Sequence, residues 1–145
     1  MHIDIIDQPF RLDLHGFSGV AVKKDYVGTA FALMDKMWQI VKSNGLENKG
    51  KNIWVFDGDE KVFAGVELLN MPQEAFGLES KSTILAKYAR YTHIGPYNLI
   101  KQTGLNMQSE LKQRRLEPDY PYIEIYGHWT EDESRLETEL LICLK

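Results

Sequence analysis

The chain has 145 residues, 43% of them hydrophobic and 26% charged, which is the composition of one globular domain with its own core. Its formal net charge of −4 lacks the positive field that attracts phosphates, so we expect no direct nucleic-acid binding. The N-terminal stretch is acidic where a signal peptide is basic, no apolar run reaches membrane-spanning length, and Cys143 is the only cysteine, so we expect a cytoplasmic protein without membrane association.

The first half of the chain is predicted to form a strand, a helix and a hairpin. The strand covers residues 10–22 and the helix residues 26–45. The helix has one broad apolar stripe that recurs at three- and four-residue steps, through Phe31, Met34, Trp38 and Val41. Residues 52–56 and 61–69 form the two strands of the hairpin, because the segment between them, Asp-Gly-Asp-Glu, is a strong turn signal.

The second half repeats this order of elements after a connector with little periodicity at about 70–81. A strand is predicted for residues 82–92 and a helix for 97–115, which ends because the two prolines that follow do not continue it. Two further strands are predicted for residues 122–126 and 135–144.

The duplicated order predicts a single domain over residues 1–145, with pseudo-repeats at about 10–69 and 82–145. Hairpins impose antiparallel pairing, so the fold class is α+β. We expect duplicated β-α-β-β units forming a curved antiparallel sheet, with two main helices and a ligand groove between the halves.

The strand at 122–126 carries a carboxylate among aromatic rings. Alternation places Tyr122, Glu124 and Tyr126 on one face, and the repeat aligns Glu124 with Trp54 of the first half. The helices would then pack on the aliphatic face of these strands, and the aromatic face would line the space between the halves, although the reverse assignment is open. Three interpretations of Glu124 remain: a solvated side chain, a catalytic acid, or a counter-charge for a cationic ligand.

Other candidate residues lie within or beside the same elements. Glu137 and Glu139 share a parity on the last strand, which forms a hairpin with the strand of Glu124. Tyr91 belongs to the strand before the second helix, and Tyr97 opens that helix. The four histidines are scattered and have no metal-ligand spacing, so we predict no metal and no cofactor.

These features resemble the GyrI-like small-molecule-binding domain, a family that includes the effector-binding domains of multidrug-sensing bacterial transcription regulators. The resemblance rests on the duplicated order, on HIGPYNLI at 93–100, and on IEIYG at 123–127 followed by LETELLICL at 136–144. It covers nearly the whole chain. Because no helix-turn-helix module precedes the first predicted strand, the resemblance implies a stand-alone ligand-binding domain.

The resemblance also implies a site at which a glutamate on the penultimate strand, aromatic residues and a second acid from the last strand meet cationic lipophilic ligands. Matched by position, and with the alternation argument adding Trp54 and Tyr91, the predicted ligand-binding residues are Glu124, Tyr126, Trp54, Tyr91, Tyr97, Glu137 and Glu139.

The function predicted from these residues is binding of small hydrophobic or cationic drug-like molecules, for sensing or sequestration. One alternative is a hydrolase that detoxifies strained, cyclopropane-containing genotoxic compounds, with Glu124 as a general base on water or as an electrostatic stabiliser. The other is a gyrase-interacting protein. Transcriptional control would require a partner regulator chain, and nothing in the sequence indicates the oligomeric state.

Overall fold

Eight strands and two α-helices make up the part of the chain that the computed structural model describes, residues 1–71 and 74–145. The helices are α1 (Tyr26–Ser43) and α2 (Ile100–Gln113). The strands are β1 (Asp4–Ile6), β2 (Phe10–Val20), β3 (Ile53–Gly58), β4 (Lys61–Val66), β5 (Glu79–Leu85), β6 (Tyr88–Ile94), β7 (Pro118–Tyr126) and β8 (Glu137–Leu144). The predicted α+β class is confirmed. Residues 72–73 of the predicted connector lie outside the described residues.

All eight strands belong to one antiparallel sheet with the order β1-β6-β8-β7-β3-β4-β2-β5. Exchanging β1–β4 for β5–β8 reproduces the same order read from the other edge, so the topology has a pseudo-twofold axis. That axis passes between β3 and β7, where Trp54 is paired directly with Glu124. The centre of the sheet is therefore the place where the two halves of the chain meet.

The two ends of this sheet lie close together. β5 is an edge strand and β6 is second from the opposite edge, yet only Ala86 and Lys87 separate them. Two linking residues reach at most about 11 Å, so the sheet must curl until its ends approach each other. Phe10 of β2 and Tyr88 of β6 accordingly pack with their ring centroids 5.8 Å apart.

Several boundaries differ from the sequence-based prediction, and β7 begins at Pro118 instead of residue 122. The predicted strand at 82–92 is two strands, and β5 begins at Glu79, inside the predicted connector. No glycine or proline marks the break at Ala86 and Lys87, where the chain changes from pairing with β2 to pairing with β8. β1 was not predicted, because three residues are too few to show alternation.

The helices pack on the aromatic face of the sheet, and this corrects the expectation that the aliphatic parity seats them. The curled sheet encloses the aliphatic side chains of its two central strands, which are Ile53, Val55, Ile123 and Ile125. On the outer face, Met37 of α1 and Met107 of α2 are fully buried in separate clusters. The interior of so tightly curled a sheet is filled by its own side chains, which leaves only the outer face for helices.

The ends of α1 follow the signals in the sequence. The Asp25 side chain caps its N-terminus by accepting a hydrogen bond from the Gly28 N–H at 3.0 Å. At its C-terminus Gly45 has a φ of 58°, the left-handed conformation that the Asn-Gly pair predicts. In the two described ranges, neither helix combines the length and the apolar character needed to cross a membrane.

Candidate functional site

A cavity of about 1040 Å³ opens between α1 and α2 on the aromatic face of the sheet. Its floor is formed by β3 and β7, so it lies over the pseudo-twofold axis. α1 contributes Tyr26, Phe31 and Met34 to the walls, and α2 contributes Gly104 and Leu105. The volume is at the upper end of the range that drug-sized ligands occupy.

Aromatic rings in mutual contact form the floor and one wall of this cavity. Trp54 and Tyr126 meet edge-on with their ring centroids 4.8 Å apart, and Phe56 and Tyr122 meet in the same way at 5.6 Å. Tyr97, in the short 3-10 turn before α2, packs edge-on against Tyr126 at 5.5 Å. Such a lining offers a ligand large apolar area and negatively polarised ring faces.

The mouth of the cavity is also apolar, although it faces water. Phe31 is 51% exposed while its ring packs against Trp54, with 5.7 Å between the ring centroids. The exposed large apolar side chains that line the cavity with it are Val27, Tyr97, Leu105, Tyr120 and Trp129. Exposed apolar side chains gathered around a concave site are typical of a binding surface.

Glu124 lies at the floor of the cavity with only 9% of its surface exposed. The Tyr122 hydroxyl donates a hydrogen bond to Glu124 Oε2 at 2.7 Å, and the Tyr126 hydroxyl donates one to Glu124 Oε1. All three side chains lie on one face of β7, as alternation predicts. The interpretation of Glu124 as a solvated side chain is therefore wrong.

Burial controls the protonation of this cluster. Removal of Glu124 from water raises the pKa of its carboxyl, and the two tyrosine hydrogen bonds and the electrostatic influence of nearby His93 oppose that rise without cancelling it. Burial, reinforced by the neighbouring carboxylate, also raises the pKa of Tyr122 and Tyr126 well above the usual value for tyrosine. Both tyrosines therefore stay protonated and act as donors.

No basic side chain in the described ranges forms an ion pair with Glu124. His93 is buried nearby, but its two ring nitrogens are bound elsewhere. Nδ1 lies 2.9 Å from the Thr103 hydroxyl oxygen, and Nε2 lies 3.0 Å from the Pro96 carbonyl oxygen. Glu124 is thus a buried acid whose hydrogen bonds come from neutral hydroxyls.

The structure brings together four of the seven residues predicted for the site. Glu124, Tyr126, Trp54 and Tyr97 all line the cavity. Tyr91 is on the same face of the sheet but packs in the apolar cluster beneath α2, away from the cavity lining.

Glu137 and Glu139 do not join Glu124, and this corrects the expectation of a second acid from the last strand. Glu139 is paired with Ile125 on β7, whereas the residue paired with Glu124 is Leu140. Directly paired residues point to the same face of a sheet, so both acids lie on the opposite face from Glu124. They border a separate polar depression beside Lys51.

Several cavity residues were not predicted. Phe31 and Met34 belong to the apolar stripe of α1, which is wider than the core requires, and this excess width was a usable signal. A second signal was the alternation that places Tyr122 on the same face of the strand as Glu124. Three lysines at the cavity come from three separate elements, and no local pattern connects them.

The sequence matches no protein-family model and no curated protein sequence, but the fold matches solved structures. The C-terminal domain of EcmrR has a TM-score of 0.77 at 11% identity, with 100% of this chain and 99% of that chain covered. SAV2435 bound to tetraphenylphosphonium has a TM-score of 0.63 at 16% identity, covering 100% and 94%. A hydrolase from Listeria innocua has a TM-score of 0.56 at 10% identity, covering 99% and 91%. The fold predicted from the resemblance to GyrI-like domains is confirmed.

Proposed function

We propose that this chain is a binding protein for amphipathic organic cations, which it senses or sequesters. The observation that carries the proposal is Glu124, a carboxyl at the floor of an open aromatic cavity. It is 9% exposed and has no ion-pair partner in the described ranges.

A bound cation would supply the positive charge that the buried carboxylate of Glu124 lacks. An ionised carboxylate held out of water without a counter-charge is destabilised by several kcal/mol, which is why the pKa of Glu124 is raised. A cation in the cavity stabilises the carboxylate, and each ring face that it contacts contributes about 0.5–2 kcal/mol more. The apolar remainder of the ligand would bury its surface against the aromatic walls at about 25 cal/mol per Å².

The solved structures with this fold support the same class of ligand. SAV2435 is bound to tetraphenylphosphonium, a bulky aromatic cation with no hydrogen-bonding group. Recognition of such an ion rests on charge, aromatic surface and shape, the three properties that Glu124 and its surrounding rings combine here.

A hydrolytic role is less well supported by the geometry, although one protein with this fold is described as a hydrolase. A catalytic base must hold a water molecule against the substrate. Both oxygens of Glu124 already accept hydrogen bonds from the hydroxyls of Tyr122 and Tyr126, which orient the carboxylate as a fixed counter-charge.

Tetraphenylphosphonium binding tests the proposal, with quenching of tryptophan fluorescence as the signal. Trp54 lies in the cavity floor and Trp129 at its mouth, so both report on occupancy. We expect saturable binding to the wild-type chain. Glu124→Gln keeps the shape and removes the charge, and we expect it to weaken binding by about tenfold to a hundredfold.

The matched control is Glu139→Gln, which removes one carboxylate from the neighbouring strand on the other face of the sheet. It should leave the dissociation constant unchanged. Equal affinities for the wild-type chain and the Glu124→Gln variant would refute the role given to Glu124. Equal losses in both variants would show only a general effect of net charge.

A further inference from the structure

The mouth of the cavity carries positive charge that the binding of a simple cation does not explain. Lys24 in the turn before α1, Lys61 at the start of β4 and Lys101 in α2 all line it. Each is exposed, and none has a carboxylate within 4.0 Å in the described ranges.

The acids that line the cavity do not balance these lysines. Apart from Glu124, Asp25 is the only acid among the described residues of the lining, and its carboxylate caps α1 by accepting a hydrogen bond from the Gly28 N–H. Over the whole chain acids outnumber lysines and arginines, 21 to 17. The cavity lining reverses this ratio, with three lysines and two acids.

The cavity is therefore bipolar, with a carboxyl at its floor and ammonium groups around its opening. A ligand that carries only positive charge would be attracted by the floor and repelled at the mouth. The site would hold a ligand with charges of both signs best, because its cationic part can approach Glu124 while an anionic group stays near the lysines and water. The cavity volume of about 1040 Å³ accommodates a drug-sized molecule that extends from Glu124 at the floor to the lysines at the mouth.

We propose that the preferred ligands are zwitterionic amphiphiles, in which an aromatic cation is joined to one anionic group such as a carboxylate. This inference rests on the proposed function and specifies its ligand class. Glu124 and the rings would bind the cationic part, and Lys24, Lys61 and Lys101 would select for the anionic group.

Two dyes that differ in one charge provide the test. Rhodamine B carries a carboxylate beside its cationic ring system, and rhodamine B ethyl ester masks that carboxylate. Their dissociation constants are measured by fluorescence anisotropy for the wild-type chain, for Glu124→Gln, and for a triple variant with Lys24→Gln, Lys61→Gln and Lys101→Gln. Lys112→Gln is the matched control, since Lys112 is exposed on α2 and lies outside the cavity lining.

The triple variant should bind rhodamine B roughly fivefold or more weakly and bind the ester as well as the wild type does or better. Lys112→Gln should change neither value. The inference is overturned if the triple variant leaves the affinity for rhodamine B unchanged, or weakens the binding of both dyes equally.

Failure of the proposed function gives a different pattern. In that case neither dye binds the wild-type chain, or Glu124→Gln alters neither affinity, and the inference falls with it. If Glu124→Gln weakens the binding of both dyes while the lysine variants have no selective effect, the proposed function stands and the zwitterion preference is rejected.

Discussion

At the scale of single residues, Glu124 combines two properties that rarely occur together. It is buried, yet its partners are the neutral hydroxyls of Tyr122 and Tyr126 rather than a basic side chain. The hydroxyls satisfy the oxygens as hydrogen-bond acceptors but bring no positive charge of their own. An acid in this state is poorly adapted to stabilising the fold and well adapted to receiving a cation.

The raised pKa of Glu124 makes the stability of the empty protein depend on pH in a predictable direction. A carboxyl whose folded pKa exceeds its unfolded value of 4.5 stabilises the fold fully below that value. Its contribution is lost as the pH rises through the folded pKa, and the loss is about 1.4 kcal/mol for every pH unit that separates the folded pKa from the unfolded one. Glu124→Gln removes this loss, so the variant should gain stability relative to the wild type as the pH rises from acid to neutral.

Urea unfolding of both proteins across that pH range, without ligand, measures the difference. The other titrating groups are common to the two proteins and cancel in it. A difference in unfolding free energy that stays constant with pH, or that favours the wild type at neutral pH, would show that Glu124 is not destabilised by burial.

At the scale of the elements, alternation along one strand predicted correctly which of its side chains share a face of the sheet. The prediction failed where it depended on the pairing between two strands. Tyr122, Glu124 and Tyr126 share a face because side chains alternate along β7, and the sequence states that directly. Whether Glu139 lies on the same face depends on the register between β7 and β8. A shift of one residue reverses the answer, and no local signal in the sequence specifies it.

The helix α1 carries two adjacent apolar stripes with different roles. Ala30, Met37 and Val41 are buried in the core, while Phe31 and Met34 line the cavity and Met34 also packs against the core. A sequence pattern cannot separate them, because both surfaces are apolar.

This division predicts that one substitution in α1 mainly weakens binding and that another mainly reduces stability. Phe31→Ala removes a half-exposed ring, so it should weaken tetraphenylphosphonium binding by about threefold to thirtyfold and reduce stability by less than about 1 kcal/mol. Met37→Ala empties a fully buried site and should reduce stability by about 2–5 kcal/mol, with little effect on the affinity of the folded protein. Urea unfolding and fluorescence titration of both variants provide the comparison. A larger stability loss for Phe31→Ala would assign that ring to the core.

At the scale of the whole molecule, the duplicated topology creates the site. The pseudo-twofold axis passes between Trp54 and Glu124, so equivalent positions of the two halves lie side by side at the floor of the cavity. One half supplies an aromatic ring and the other an acid, which makes a topologically symmetric floor chemically asymmetric. The order of elements in the sequence predicted the duplication and the α+β class.

The curl of the sheet could not be predicted in the same way. It follows from a two-residue link between strands at opposite ends of the sheet, and from the strand break at Ala86 and Lys87 that the sequence does not mark. Because the curl encloses the aliphatic face, the helices and the cavity lie on the other side.

The most direct test of a counter-charge at Glu124 compares two ions of nearly the same size and shape and opposite charge, tetraphenylphosphonium and tetraphenylborate. We predict that the wild-type chain binds the cation at least about tenfold more tightly than the anion, and that Glu124→Gln loses or reverses this preference. Dissociation constants for both ions and both proteins, measured at one ionic strength, give the answer. Equal affinity of the wild-type chain for the two ions, or an unchanged preference in the variant, would contradict it.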